Sequence, residues 1–329
     1  MANSLNRYQT TLLICIILFF ISCLDEYNPP QIQNSERILV VEGNIGDKET
    51  NIRLSRTNNL SSNTPFPVYY ARVILEKESD GTDKVLEMIG DGLYHAKEDL
   101  NIGERYRVLI QDGDYEYVSE YLELLETPQI DSVGWEDNVG LFQVHVSTHD
   151  KNNDTRYYLW RFKETWVYNV ISNSDIYGGS GENREYEPCW TTEASTSVQI
   201  GTTINLTKDI IFKQPIHVIE PTTNLKLSKR YSILVKQYAL SKEAYGFWQL
   251  LKKNTEGLGT FFDPLPSQLP TNITCIEDSD RPVIGFLSAS SEQQKRMFVN
   301  KRDLPYRGIP FATSFGCRGS SEKPDFWRN

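Results

Sequence analysis

The segment RYYLWRFKETWVYNV, residues 156–170, is the most aromatic stretch of the chain and predicts a long central strand. It follows LFQVHVSTHD, residues 141–150, in which apolar and polar side chains alternate as they do in a half-buried strand. The residues between the two segments, 151–154, include Asn and Asp, which tolerate turn conformations. Two hydrophobic strands joined by a polar turn predict a fibronectin-like β-sandwich.

The sequence after this strand pair predicts further strands and one helix. Three strands are expected, at residues 197–206, 210–219 and 230–240. Ser241 is a favourable N-cap for a helix over 241–255. The apolar residues of this segment share one helical face, namely Ala244, Phe247, Trp248 and Leu251. Beyond the helix, residues 282–290 and 295–301 predict a pair of neighbouring strands, and the tail of the chain is irregular.

Six strand-like segments separated by Gly and Asp turns precede residue 126. They are RILVVEGNI (37–45), NIRLSRT (51–57), ARVILEKES (71–79), KVLEMIGDGLYHA (84–96), GERYRVLIQDGD (103–114) and EYVSEYLEL (116–124). Such spacing is typical of a β-sandwich, and we expect an N-terminal domain over 36–125 that is similar to small Ig-like or prealbumin-like modules.

A second domain is expected to begin where Pro128 ends the preceding strand. It covers 126–329 and is a fibronectin-like β domain that includes the helix and the irregular tail. The expected fold class is therefore mainly β, with two β-sandwich domains and one inserted α-helix near 241–255.

An apolar run near the start, TLLICIILFFISC at residues 11–23, has the features of a lipoprotein signal peptide. Arg7 supplies positive charge, and the run is too short to span a bilayer, which takes about 20 apolar residues. A small residue followed by Cys23 fits cleavage and lipidation of that cysteine. The alternatives are an ordinary cleaved signal with an incidental cysteine and, less favoured by its length, an uncleaved anchor helix. Residues 1–22 are therefore expected to be the signal peptide, and the polar, Pro-containing residues 23–35 a flexible tether.

Composition limits the classes of function. The 329 residues are 39% hydrophobic and 24% charged, which is enough for packed cores in about two domains. The formal net charge is −10 at pH 7. An acidic body argues against nucleic-acid binding, which depends on basic patches. It also argues against attachment to anionic lipid head groups through the protein surface.

Five cysteines are present, two of them in or at the end of the leader, Cys15 and Cys23. In an oxidising envelope one disulfide is expected among Cys189, Cys275 and Cys317, with one thiol left over. Three pairings are possible. The long separations between these cysteines, without a C-x-x-C motif, argue against a zinc site.

Aromatic residues give the clearest indication of a binding surface. They cluster around a Gly/Ser/Asn-rich loop at 172–187, and such loops often carry binding residues. Aromatic side chains supply contact area at interfaces and stack on sugars or peptides. Some of the cluster must fill the sandwich, and we assign Trp160 and Phe162 to the core. The expected contacts with a ligand or partner are Tyr177, Tyr186, Trp190 and Trp166, of which the two tyrosines are expected to be exposed.

No pattern predicts a catalytic, metal or cofactor site. Asp150, Asn152 and Asp154 resemble the start of a calcium loop, but the Gly and the distal Glu are missing, and a turn explains the same residues. His145 and His149 lie about 13 Å apart if they are on one strand, which is too far for one metal ion. The P-loop, G-x-S-x-G and H-E-x-x-H motifs are absent.

A set of segments, ordered along almost the whole chain after the leader, resembles the family described as domain of unknown function 4249. The segments are VVEGNI, PQIDSVGW, RYYLWRFKETW, RYSILVKQYALSKEAYGFWQLLKKNTE, FDPLPSQLPTNI, PVIGFLSAS and KPDFW. The resemblance implies a lipoprotein of Gram-negative bacteria that is a partner of TonB-dependent transporters and has no enzymatic activity. The family usually carries a C-x-x-C before the closing segment, where this chain has only Cys317. This departure leaves Cys317 able to pair with Cys189 or Cys275.

The expected function is that of a non-enzymatic lipoprotein, anchored in the outer membrane through Cys23, that helps a TonB-dependent nutrient transporter to capture a peptide or glycan. Asp25 and Glu26 resemble a surface-export signal, so the cell surface is favoured over the periplasmic face. One alternative is a structural or assembly protein that docks another envelope protein through sheet edges or the 172–187 loop. A third is an envelope hydrolase.

Overall fold

The aromatic segment 156–170 lies almost entirely within one fifteen-residue strand, Tyr157–Ile171. The computed structural model describes residues 37–58, 65–171, 186–256, 269–313 and 316–327. The predicted signal peptide and tether, with Cys23, lie outside the described residues, and so does most of the 172–187 loop. Residues Ile38–Asn329 make one compact unit, whose described part contains an N-terminal and a C-terminal β-lobe.

The elements of the two lobes follow one another along the chain. In order they are β1 (Leu39–Ile45), β2 (Glu49–Arg56), β3 (Phe66–Pro67), β4 (Arg72–Lys77), β5 (Asp83–Gly90), β6 (Leu93–Lys97), β7 (Arg105–Asp112), β8 (Tyr115–Ser119), β9 (Leu122–Glu123), β10 (Ile130–Asn138), β11 (Leu141–His149), β12 (Tyr157–Ile171), β13 (Tyr186–Ala194), β14 (Gln199–Thr202), β15 (Ile210–Ile219), β16 (Arg230–Ala239), α1 (Lys242–Glu256), β17 (Ile273–Cys275), β18 (Val283–Ile284), β19 (Leu287–Ala289), β20 (Glu292–Asn300), a 3₁₀ turn (Lys301–Asp303) and β21 (Ala312–Thr313).

The N-terminal lobe is a twelve-stranded sheet folded around one core. Its strands follow the order β17-β8-β7-β4-β5-β6-β2-β1-β18, and β3, β9 and β19 are attached to β2, β7 and β1. Alternate side chains enter the core, as Leu39 and Val41 do from β1 and Ile52 and Leu54 from β2. This is the two-residue period that the sequence predicts for these strands.

The structure corrects the predicted division of the chain. The sequence assigns residues 273–289 to the C-terminal domain, but β17, β18 and β19 all join the N-terminal lobe. β18 and β19 pair in parallel with β1, and β20 pairs with β16, so the expected pairing of 282–290 with 295–301 is wrong. Parallel pairing joins strands that are distant in the chain, and a short apolar run does not indicate which distant strand it joins.

The C-terminal lobe is a sandwich of two sheets. One has the order β10-β11-β15, and the other has the order β13-β12-β16-β20, with β14 and β21 also paired to β12. Apolar side chains from both sheets fill the space between them, among them Phe142, Trp160 and Phe162. The mainly β fold class with a fibronectin-like sandwich is confirmed, and Trp160 and Phe162 are core residues, as expected.

Two large polar side chains of β12 find partners inside this sandwich. The indole Nε1 of Trp160 donates to Gln237 Oε1 at 2.8 Å, and Gln237 Nε2 donates to Pro128 O at 2.7 Å. The hydroxyl of Tyr158 donates to the buried carboxylate of Asp209. Trp160 and Gln237 lie in the same sheet, but Gln237 Nε2 also donates to Thr148 Oγ1 of β11 at 3.0 Å. Because an unpaired buried polar group costs about 1–3 kcal/mol, the bonds to Thr148 and Asp209 help to fix how the sheets face each other.

Helix α1 packs on the outer face of the six-stranded sheet and reaches the N-terminal lobe. The N–H of Ala244 donates to Ser241 Oγ at 3.1 Å, which is the expected N-cap bond. Phe247 is buried and stacks on Phe286, between β18 and β19, with ring centroids 5.4 Å apart. The predicted helix is confirmed. Within the described part of the chain, no helix is long and apolar enough to cross a membrane.

The linker between the lobes is held by the buried Thr127. Its N–H donates to Ser291 Oγ at 2.9 Å, and its hydroxyl donates to Ser291 O at 2.6 Å. The same hydroxyl accepts the N–H of Ala239 at 2.9 Å. Thr127 therefore joins the linker to the end of β16 and to the connection between β19 and β20.

Thr127→Val should destabilise the protein by about 1–3 kcal/mol, because the Ala239 N–H and the Ser291 carbonyl lose a buried partner. Urea denaturation at pH 7 measures the change. Thr50→Val is the matched control, since the hydroxyl of Thr50 is buried without a hydrogen-bond partner among the described residues. That substitution should be neutral or stabilising. Equal losses in the two variants would contradict the role given to Thr127.

Candidate functional site

An exposed aromatic pair lies at the start of β13. Tyr186 is 45% exposed and Phe311 is 54% exposed, and their rings meet edge-on with centroids 5.3 Å apart. Tyr186 is the first residue of β13, and Phe311 comes just before β21, which pairs with β12. We call Tyr186 and Phe311 the aromatic pair. The exposed position of Tyr186 agrees with the sequence analysis, whereas Tyr177 lies outside the described residues.

Trp166 does not fit the expected role as a ligand contact. It is only 6% exposed and belongs to the core of the sandwich, and the Lys226 ammonium lies over its ring at 4.9 Å from the centroid. This expectation is therefore corrected. Alternation along β12 places only half of the side chains on the inner face, but residues 164–170 are buried on both faces. The sequence gives no local sign of what covers the outer face.

The C-terminal tail extends the six-stranded sheet at its β13 edge and packs against Phe298 of β20. Ser320 and Trp190 exchange two backbone hydrogen bonds, at 2.9 and 2.8 Å. Gly319 comes so close that a Cβ atom there would lie 1.9 Å from Trp190 O. Farther along, Trp327 is buried and meets Phe298 edge-on. The side chain of Trp190 is half-buried and its backbone is paired with the tail, so less of it is available to a partner than the sequence predicts.

A disulfide fixes this arrangement. Cys189 on β13 is bonded to Cys317 in the tail, with Cα atoms 5.6 Å apart. Cys275 is a free, buried thiol in the N-terminal lobe. Of the three pairings that the sequence allows, the structure has Cys189–Cys317, which is also one of the two pairings that the family resemblance leaves open for Cys317.

A buried charged cluster lies within the C-terminal lobe, about the carboxylate of Glu164. Its Oε1 lies 2.9 Å from His217 Nε2 and accepts the hydroxyl of Tyr231 at 2.7 Å. Its Oε2 accepts Lys226 Nζ at 2.7 Å. Lys226 also pairs with Glu193 at 3.3 Å, which lies on the surface. The cluster therefore leads from the interior of the sandwich to solvent beside β13.

The pKa of Glu164 is set by two opposing effects. Burial alone would raise it, but the hydrogen bond and the charge of His217, together with those of Lys226, lower it from 4.5 to about 2. Burial and the nearby Glu164 carboxylate raise the pKa of Tyr231. Perturbed groups of this kind occur in active sites and in structural networks alike. Here the carboxylate is enclosed by its partners, which favours a structural role.

The Asp150 loop is a turn and not a cation site. One oxygen of Asp150 accepts the N–H of Asn152, and the other accepts those of Asp154 and Thr155. Burial would raise the pKa of Asp150, but these donors prevail and lower it. Within the described ranges, no group of three or more His, Cys, Asp or Glu side chains is placed to hold a metal ion.

A family model described as domain of unknown function (DUF4249) matches residues 25–296, which include the N-terminal lobe, the linker and the C-terminal lobe as far as the middle of β20. The chain belongs to this family. The resemblance stated from the sequence is thereby confirmed. No curated protein matches the chain.

Two solved structures illustrate how distant the structural similarities are. The chain is similar to the chicken CNTN1 FN1–FN3 domains, with 11% identity and a TM-score of 0.17, over 60% of each chain. It therefore spans 60% of the length of that structure. It is also similar to a putative carbohydrate binding protein from Bacteroides uniformis, with 13% identity and a TM-score of 0.15, over 64% of this chain and 93% of that one. Scores this low carry no functional argument.

Sequence reasoning missed Phe311 and the role of the tail. Phe311 lies in a segment without strand periodicity, and only its position beside β12 and β13 brings it to Tyr186. The closing segment KPDFW offered one signal, since two aromatic residues at the end of a chain suggest that the tail packs against the body.

Glu164→Gln should flatten the dependence of stability on pH. The folded pKa of Glu164 is below its ordinary value, so its contribution is present above pH 4.5 and is lost as the pH falls towards 2. A shift of this size corresponds to about 3 kcal/mol. Urea denaturation at pH 7, 4.5 and 2.5 should show a smaller loss in the variant than in the wild type. Glu120→Gln, at an exposed position, is the control, and an unchanged pH profile in Glu164→Gln would contradict this assignment.

Cys317→Ala should release the tail. A disulfide that closes a loop of 128 residues contributes typically 2–4 kcal/mol. Hydrogen exchange should rise in residues 316–327 and in β13. Thiol alkylation of the denatured but unreduced wild type should label Cys275, which is buried in the folded protein, but neither Cys189 nor Cys317. Cys275→Ala is the control, because its effects should remain in the N-terminal lobe. Unchanged hydrogen exchange of residues 316–327 in Cys317→Ala would contradict this prediction, because it would show that the other contacts of the tail hold it in place without the disulfide.

Proposed function

We propose that this chain is a lipid-anchored protein of the outer membrane that serves a TonB-dependent nutrient transporter as an accessory without enzymatic activity. The observation that carries the proposal is the apolar run 11–21 followed by Cys23, ahead of a β-rich body. Such a run directs a chain to the envelope. A lipid on Cys23 would hold the body at the membrane, and the acidic residues after it favour the cell surface.

The aromatic pair supports a role in contacting a partner. Tyr186 and Phe311 are exposed, yet each adjoins strands that pair with β12, so their backbone positions are fixed. Rigid aromatic side chains provide contact area at a low cost in conformational entropy. Tyr186 also belongs to the 172–187 segment, where the sequence predicts a binding loop.

A second candidate, an assembly protein that docks through a sheet edge, is favoured by β15. Within the described part of the chain β15 pairs with β11 alone, and it exposes Ile210, Phe212 and Val218. However, Pro215 and the positive φ of Lys213 interrupt the strand. Interruptions of this kind discourage pairing along an edge, which makes β15 a weaker docking surface than the aromatic pair.

Purification from native outer membranes tests the two candidates. The tagged full-length chain should retain a TonB-dependent barrel, identified by mass spectrometry, and its first mature residue should be a lipidated cysteine. The amount of co-purified transporter should fall at least tenfold in the double variant Tyr186→Ala/Phe311→Ala and should stay at the wild-type level in Phe212→Ala.

Loss of the transporter in Phe212→Ala, with retention in Tyr186→Ala/Phe311→Ala, would favour docking through β15. Absence of a transporter from the wild-type sample, whether or not the membranes are crosslinked before solubilisation, would overturn the accessory role. An unmodified mature N-terminus would overturn the lipid anchor.

A further inference from the structure

A cleft of about 570 Å³ lies between the two lobes. One side is the turn between β1 and β2, and the other is the outer face of the six-stranded sheet beside α1. We call it the inter-lobe cleft. Its volume falls within the range of about 300–1,000 Å³ that is usual for small-molecule sites.

The floor of the inter-lobe cleft is apolar. Leu159 and Leu240 are buried there, and the half-buried indole of Trp248 stands beside them. The Arg161 guanidinium lies 5.1 Å from the centre of the Trp248 ring. The Nε1 of Trp248 is buried and has no hydrogen-bond partner among the described residues. The aromatic ring of Trp248, and not its N–H, is therefore the part of this side chain that we assign to ligand contact.

The rim carries polar side chains of both signs. Arg161, Lys48 and Gln293 offer donors, while Asp47 and Glu49 offer acceptors. Across the described ranges, none of these five side chains forms a hydrogen bond or an ion pair within the protein. By contrast, Glu292 on the same rim is already engaged by Lys236 and Tyr238. The hydrogen-bonding groups of these five side chains are therefore available to a ligand.

This combination fits a neutral oligosaccharide. Sugar hydroxyls both donate and accept hydrogen bonds, so they match a rim that holds both kinds of group, and the C–H faces of sugar rings match an apolar floor with an aromatic side chain. An anionic ligand would meet the carboxylates of Asp47 and Glu49. An extended peptide usually adds to a free strand edge, but β1, β2, β12 and β16 are each paired on both sides.

We propose that the inter-lobe cleft binds a short neutral glycan through Trp248, Arg161, Gln293 and Glu49. This inference rests on the proposed role in nutrient capture, for which it names the ligand class and the site. Because the cleft combines side chains of both lobes, binding also requires that the linker and the return of β18 and β19 hold the lobes in place.

The test begins with an array of neutral glycans, probed with the full mature chain, followed by calorimetry with the best-binding oligosaccharide. Binding should also change the indole fluorescence, and Trp248→Phe should remove that change. Arg161→Gln, Gln293→Ala and Glu49→Gln should each weaken binding about tenfold or more, which corresponds to about 1.4 kcal/mol. Since these side chains form no hydrogen bond or ion pair among the described residues, and Arg161 loses only its contact with the Trp248 ring, the thermal unfolding of the variants should resemble that of the wild type.

The matched controls are Arg302→Gln and Gln214→Ala, both outside the cleft. They should bind like the wild type. Retention of binding in all three cleft variants, or no binding to any neutral glycan on the array, would overturn the proposal, and so would cleft-dependent binding of peptides in place of glycans. The accessory role is read separately, because Arg161→Gln should still purify with the transporter whether or not glycans bind.

Discussion

Strand β12 buries side chains on both of its faces along residues 164–170, and much of the C-terminal lobe follows from the need to cover both. Its inner face packs against the three-stranded sheet around Phe142 and Val144. Near its start the outer face is covered by α1, and near its end the tail pairs with the neighbouring strand β13 and packs against Phe298 of β20. Burial of large aromatic side chains is the largest favourable contribution available to such a strand. The tail is therefore part of the fold.

The polar groups on this strand explain why the packing is specific. Trp160 needs Gln237, Tyr158 needs Asp209, and Glu164 needs His217, Lys226 and Tyr231. The bonds that reach the other sheet are those of Gln237 to Thr148, of Tyr158 to Asp209 and of Glu164 to His217. Apolar contacts alone would allow the sheets to slide, but a displaced sheet would break these bonds at a cost of about 1–3 kcal/mol for each neutral group and more for the carboxylate. The buried cluster about Glu164 thus fixes how the two sheets are aligned, but its contribution to stability is lost at acidic pH, where Glu164 becomes protonated.

Features that depend on neighbouring residues could be predicted from the sequence. The alternation of Leu39, Val41, Ile52 and Leu54 and the cap at Ser241 are local, and the strands and the helix appear where they predict. The pairing of β18 and β19 with β1, the Cys189–Cys317 disulfide and the burial of Trp166 depend on segments far apart in the chain. A single sequence carries no measure of which distant segments meet. For the same reason, the sequence predicts only one member of the aromatic pair. Tyr186 belongs to a loop that can be recognised in the sequence, whereas Phe311 reaches Tyr186 only through the pairing of β21 with β12.

The contacts that hold the linker between the lobes also keep the two sides of the inter-lobe cleft together. Its rim takes Asp47 and Glu49 from the N-terminal lobe and Arg161 and Gln293 from the C-terminal lobe. A flexible linker would let these groups separate, and a ligand would then have to supply the free energy of bringing them together. Thr127 bonds to Ser291 and Ala239, and Phe247 stacks on Phe286, so the two sides are held at a fixed distance before any ligand arrives. The return of residues 273–289 to the N-terminal lobe has the same effect, because the chain crosses between the lobes more than once. This second crossing makes an open-and-close motion costly and favours a preformed site.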